Sequence, residues 1–155
     1  MPPLPFRYFL RVRYGECDAQ KVVFNARYGD YIELSTTEFM RALGYDSELV
    51  TGDLDYQLVK QTIEWKSPAR FDDVIEARVW AHHIGNTSFT IHAEFRRAGE
   101  EPLLAKAETV YVLVDAATLK KKPIEEALRR ALERGPVDRV TDHAGHTCQN
   151  REPGV

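Results

Sequence analysis

Residues 13–44 read RYGECDAQKVVFNARYGDYIELSTTEFMRALG. Within them Tyr28, Ile32, Ser35, Phe39 and Leu43 recur at three- and four-residue spacing, which puts them on one stripe of a helix. Asn25 stands where its side-chain oxygen can cap the first turn. Gly44 stands where a left-handed stop is expected. Ahead of the helix lies a polar turn with Cys17 and Asp18, and ahead of that a strand. A mainly apolar helix followed by strands predicts an α+β domain, one sheet wrapped around one helix.

On the N-terminal side, Phe6 to Tyr14 alternates as a strand, with Tyr8, Leu10 and Val12 on one face and Arg7, Phe9, Arg11 and Arg13 on the other. On the C-terminal side, residues 46–55 read as a loop or a short irregular segment with Gly52-Asp53 as its turn signal. Four strands follow. Residues 57–66 set Val59, Gln61, Ile63 and Trp65 against Lys60, Thr62, Glu64 and Lys66, and Pro68 ends the run. Residues 74–84 set Ile75, Ala77, Val79 and Ala81 against Glu76, Arg78, Trp80 and His82. Gly85-Asn86 is a tight-turn pair. Residues 87–97 place Phe89, Ile91, Ala93 and Phe95 on one face, and residues 103–115 form a long last strand. Short turns between strands predict an antiparallel meander. Pro123 opens a short second helix, closed by Gly135-Pro136. Residues 1–136 therefore make a single domain, and the polar, aperiodic residues 137–155 read as a mobile tail.

Composition narrows the class. The chain has 155 residues, 43% of them hydrophobic and 29% charged, which fits one soluble globular domain. A net charge of −3 gives no broad basic surface for nucleic acid. No apolar run approaches the ~20 residues that span a bilayer, and the first residues lack a signal peptide's apolar block. The expected location is cytoplasmic. Cys17 in the turn and Cys148 in the tail do not suggest a structural disulfide.

Three motifs together resemble the hotdog-fold acyl-CoA thioesterases of the 4-hydroxybenzoyl-CoA thioesterase branch. They are residues 11–19 (RVRYGECDA), residues 22–28 (VVFNARY) and residues 65–73 (WKSPARFDD). The similarity spans roughly residues 7–133. It implies a five-stranded antiparallel sheet curved around the central helix, with a homodimer pairing into a homotetramer. Two positions depart from the family pattern: Lys21 stands where Gly is frequent, and Asn25 where many members carry His.

What the resemblance implies for the chemistry is hydrolysis of an acyl-CoA to a carboxylic acid and free CoA. Asp18 is the expected nucleophile or general base, and the backbone at Asn25, at the positive end of the helix, the expected oxyanion donor. Asp18 also has the plain role of a turn residue open to it. Phe24, Tyr28 and Trp65 are candidates to line the acyl pocket or to be core. Gly85, Asn86, Thr87 and Ser88 match the place where family members line the pantetheine channel, or make an ordinary hairpin. Lys120-Lys121-Lys122, Arg70 and Arg97 are candidate phosphate contacts. Glu33 and Glu38, on the helix, stand in reserve as bases. Cys17 reads as a packed thiol, because no histidine lies near it in the segment to activate it. The histidines of the strands read as surface groups. Asp142, His143, His146 and Cys148 match no structural zinc spacing. No metal or other cofactor is expected, coenzyme A being part of the substrate. The alternatives are a non-catalytic acyl-CoA-binding module and an enoyl-thioester hydratase. The hydratase would pair its Asp with a His that residues 19–28 lack.

Overall fold

The computed structural model describes residues 1–145. Six strands form one sheet in the order β2-β5-β4-β3-β1-β6. They are β1 (Phe6–Arg11), β2 (Tyr56–Trp65), β3 (Val74–Ile84), β4 (Ser88–Arg97), β5 (Leu103–Leu113) and β6 (Val140–Asp142). All pairings are antiparallel except β6 on β1. The sheet packs its concave face on helix α1 (Arg27–Met40), the hotdog arrangement.

Side-chain alternation decides which face is concave. Ile75, Ala77 and Val79 of β3 and Phe89, Ile91, Ala93 and Phe95 of β4 are all buried. They meet the predicted helical stripe, and all five of its residues are buried. The buried face is wider than the stripe, because the sheet curls around α1 and also covers Tyr31, Thr36 and Met40. Two polar groups on that face find partners. Ser35 Oγ donates to the Tyr31 carbonyl at 2.6 Å, and Tyr111 donates to Thr36 Oγ1 at 3.4 Å.

Six expectations need correction. Gly44 is left-handed (φ 99°), but it bends the chain instead of ending the helix. A π-helical turn, Arg41–Tyr45, leads into α2 (Asp46–Thr51), where a loop or a short irregular segment was expected. Gly52 (φ 85°) supplies the stop, its N–H bonding the Glu48 carbonyl at 3.0 Å. In β2 a bulge between Leu58 and Lys60 makes Val59 an extra residue, so Val59 leaves the face of Gln61, Ile63 and Trp65. The last helix, α3 (Glu126–Arg134), starts three residues beyond Pro123. Finally, the sheet has six strands, not five, and the domain runs past residue 136. The Arg7 N–H donates to the Arg139 carbonyl at 2.8 Å, and the His143 N–H to the Phe9 carbonyl at 3.0 Å. A three-residue strand is too short to show a period. His146 and Cys148 lie outside the described residues.

Glu76 faces the convex side, as its position in the alternation demands, yet is only 3% exposed. Arg7 Nε and Nη2 each donate to its carboxylate at 3.2 Å, and Arg78 closes on it from the same strand. Burial raises the Glu76 carboxyl pKa, and the two guanidinium groups outweigh that, leaving it below the usual range.

Candidate active site

The Asp18 turn is a small hairpin built against the sheet. The Asp18 N–H bonds the Val22 carbonyl at 2.9 Å, and the Lys21 N–H bonds the Asp18 carbonyl at 2.9 Å. Cys17 pairs with Val23, and the Phe24 N–H reaches the Glu16 carbonyl at 3.0 Å. Lys21 holds φ 64°, the left-handed region that favours glycine. This accounts for glycine at that position in the resembled motif.

The second arm is tied to the loop after β2. The Val23 N–H bonds the Ala69 carbonyl at 2.8 Å, and Val22 pairs with Arg70. That loop is clamped by Asp73, whose Oδ2 accepts from the Arg70 N–H at 2.8 Å and from Arg97 Nε at 3.0 Å. Arg97 also donates to the Pro68 carbonyl. Arg97 is thus a clamp, already committed to protein partners.

The first arm is tied to α1 by a residue the sequence reading passed over. Glu16 Oε1 accepts from the Arg13 N–H at 2.7 Å and from the Tyr31 hydroxyl at 3.0 Å. The only sequence signal is the three-residue step from Arg13, and Tyr31 is fifteen residues away. Burial first, then the Glu16 carboxylate, holds the Tyr31 pKa well above the phenol range, so it donates at every working pH.

Asp18 itself is exposed. One carboxylate oxygen accepts from the Gln20 N–H at 2.8 Å, an Asx turn that fixes its direction. Asn25 does not cap the helix with its side chain: the N-cap is Ala26, and no side chain caps it. The reason is conformational. Ala26 already has helical angles (φ −65°, ψ −21°), and the Asn25 carbonyl accepts the Tyr28 N–H at 3.3 Å. Among the described residues, the N–H groups of Asn25 and Ala26 have no acceptor. They are free donors at the positive end of a fourteen-residue helix.

Phe24 (52% exposed) flanks these donors in sequence. Trp65 (48% exposed) lies at the same end of the sheet, across β5 from Phe95. Tyr28 is 2% exposed, its ring packed edge-on against Tyr31 and Phe95, and burial pushes its pKa up to about 12. It is core beneath the site. Burial, then Glu16 and Asp18, also pushes the Cys17 thiol pKa up, which disfavours the thiolate. Glu38 pairs with Arg41 at 3.3 Å, whereas Glu33 lines a groove between α1 and β2.

Gly85 to Ser88 are not brought to Asp18 within one chain. They close the far end of β3 and β4, whereas Asp73 and Arg97 mark the near end, roughly 30 Å away over about nine residues of strand. Arg129 donates to the Ile84 and Gly85 carbonyls at 3.2 and 2.7 Å, and the Ile124 N–H to the Asn86 carbonyl at 2.8 Å. Lys120 to Lys122 join the same far end, the Lys122 N–H bonding the Leu113 carbonyl at 2.9 Å.

A model of the thioesterase-like superfamily matches residues 12–132. The chain belongs to that superfamily. The acyl-CoA thioester hydrolase YbgC of Escherichia coli is 29% identical over 124 residues, covering 79% of this chain and 92% of the relative. A putative esterase of Aquifex aeolicus is 31% identical over 124 residues, covering 79% and 94%. Among solved structures, a gentisyl-coenzyme A thioesterase superposes with a TM-score of 0.72 at 26% identity, covering 82% of this chain and 98% of that one. These likenesses make the chain a thioester hydrolase. No described helix is long and apolar enough to cross a membrane, and the described residues hold no cluster of three metal-ligating side chains.

Proposed function

We propose that the protein hydrolyses acyl-CoA thioesters at the Asp18 turn. The observation that carries this reading is the pair of acceptor-free N–H groups at Asn25 and Ala26, heading α1 on the second arm of the hairpin whose turn holds the exposed Asp18 carboxylate. They polarise the thioester carbonyl and stabilise the oxyanion that forms on it. In the general-base route Asp18 takes a proton from water, hydroxide adds to the carbonyl carbon, and the C–S bond breaks to release CoA thiolate, which then takes up a proton. In the nucleophilic route Asp18 attacks first, CoA leaves, and water cleaves the mixed anhydride. Either route consumes one water and needs no redox partner.

The site extends to a second copy of the chain. Gly85 to Ser88 and Lys120 to Lys122 share the far end of the sheet, so only a neighbouring protomer can bring them to Asp18. Among the described residues β2 pairs on one side only, with β5. Two-fold antiparallel pairing of two such edges sets one chain's far end beside the other's near end. This supports a homodimer, with the homotetramer as a further pairing.

The test is release of free thiol from a panel of acyl-CoAs by the wild type and Asp18→Asn. A fall of about 10²-fold or more in kcat is expected, with substrate still bound. Tight binding with no thiol release by the wild type would make the protein an acyl-CoA-binding module instead. A single turnover in ¹⁸O-water bears on the route: label in the Asp18 carboxylate requires the mixed anhydride, cleaved by water at the Asp18 carbonyl carbon, and cannot arise in the general-base route.

A further inference from the structure

Glu16 is held by its backbone and by its side chain. Its N–H donates to the Arg13 carbonyl at 3.0 Å, and its carbonyl accepts the Phe24 N–H at 3.0 Å. Its Oε1 accepts from the Arg13 N–H at 2.7 Å and from the Tyr31 hydroxyl at 3.0 Å. The bond from Phe24 closes residues 16–24 into a ring. Asp18 lies just inside one end of that ring, and the free N–H groups of Asn25 and Ala26 follow directly on the other end.

The two arms of the ring are fastened to different parts of the fold. The second arm is fastened outside α1, the Val23 N–H bonding the Ala69 carbonyl at 2.8 Å. The first arm is fastened to α1 itself. Among the described residues, the bond from Tyr31 to Glu16 is the one side-chain hydrogen bond between residues 13–24 and that helix. Tyr31 is a firm post for it, fully buried and with its ring edge-on to Tyr28 at 5.4 Å. It stands on the same helix that presents the free donors at its head.

We propose that Glu16 is a positioning residue: pinned to Tyr31, it sets the distance and direction from the Asp18 carboxylate to the oxyanion donors. This rests on the reading that hydrolysis takes place at the Asp18 turn. Attack on the carbonyl carbon and polarisation of the carbonyl oxygen act on one group at one moment, so the base and the donors must be held relative to each other. Without the pin the ring tilts on its second arm. Both groups are then present but misaligned, and a misplacement of about 1 Å costs turnover on the order of 10²-fold. The pin needs reach, not charge. A Gln at this position carries a carbonyl oxygen at the same length, able to accept both bonds. An Asp keeps the charge and is one methylene too short.

The experiment measures kcat and KM by thiol release from the acyl-CoA of the panel that the wild type cleaves fastest, with a urea midpoint for each variant. Glu16→Ala and Glu16→Asp are expected to lower kcat about 10- to 100-fold. KM should stay within about 2-fold, the mark of an interaction that counts only in the transition state. Glu16→Gln should keep kcat within about 3-fold of the wild type, since both bonds survive. Tyr31→Phe, which removes only the hydroxyl, should lower kcat in the wild type and have no further effect in Glu16→Ala. An unchanged kcat in Glu16→Ala, or a loss that lies wholly in KM, overturns the proposal. So does an equal loss in Glu16→Gln and Glu16→Ala, which makes the charge part of the reaction, and so do additive losses in the double variant. Where Glu16→Ala does not fold, the contrast of Glu16→Gln with Glu16→Asp and Tyr31→Phe decides in its place. None of these outcomes touches the Asp18 reading, which fails instead if Asp18→Asn keeps the wild-type kcat or if no acyl-CoA releases thiol.

Discussion

At one edge of the sheet β6 pairs in parallel with β1, and Tyr8 reaches across to His143 Nδ1 at 2.9 Å. At the other edge, among the described residues, β2 pairs with β5 alone and leaves Leu58, Val59 and Trp65 about half exposed. A groove lies on each side of α1. The β1-side groove, about 540 Å³, takes His143 of the C-terminal segment into its walls beside Tyr8 and Tyr31. The β2-side groove, about 410 Å³, is lined by α1, β2 and Tyr111 of β5. An unpaired edge invites another strand. The finished edge is completed within the single chain, and the unfinished one is where the proposed dimer would pair.

The comparison can be broken most forcefully at the finished edge. Removing residues 139–155 deletes the β6 ladder and the Tyr8–His143 bond, and at about 1 kcal/mol per hydrogen bond the expected loss is about 3–4 kcal/mol. A urea midpoint shifted at unchanged slope would measure it, and an unshifted midpoint would show that β6 does not hold this edge.

Next in size is Glu76→Gln, also beside β1. It leaves two guanidinium groups without their carboxylate, with an expected cost of about 2–3 kcal/mol, below the range for a wholly buried pair because Arg7 is part exposed. Because the Glu76 pKa is lowered in the fold, its contribution is present above the ordinary carboxylate pKa and lost as pH falls through the lowered one. Thermal unfolding from pH 6 down to pH 2 should therefore fall more steeply for the wild type than for the variant.

Lys21→Gly, in the Asp18 turn, relieves a left-handed backbone and should raise stability by about 1 kcal/mol, read from the same denaturation curves. The smallest effect on the fold sharpens the open edge. Leu58→Lys should change chain stability by no more than about 0.5 kcal/mol, as a surface substitution does. It should nevertheless convert the proposed dimer to monomer in sedimentation. A dimer that survives the charge would move the interface elsewhere.

Much of this was legible in order along the chain. The stripe from Tyr28 to Leu43 and the alternations of β3 and β4 follow from burial on one face, and burial on one face leaves a period. The bulge at Val59 was not legible, because it breaks that period. β6 was not, because three residues are fewer than two repeats of anything. Asp18 and the Asn25 backbone were singled out by a motif, and the structure adds what a motif lacks: free N–H groups, and the Asx turn that aims the carboxylate. Glu16, Asp73 and Arg97, which hold that turn in place, were invisible or assigned elsewhere. Their partners lie between three and twenty-nine residues away, and sequence spacing carries no distance across a fold.

The sequence by itself determined the local elements and the family. Hydrophobic periodicity, turn residues and three motifs are properties of neighbours in the chain, and short-range sterics and burial act on neighbours first. Only the tertiary structure decided which edge is closed, which segments line the grooves beside α1, and that the Gly85 hairpin stands a sheet's length from Asp18. Those facts depend on how strands separated by dozens of residues register against one another, and register is fixed by packing of the whole sheet around the helix.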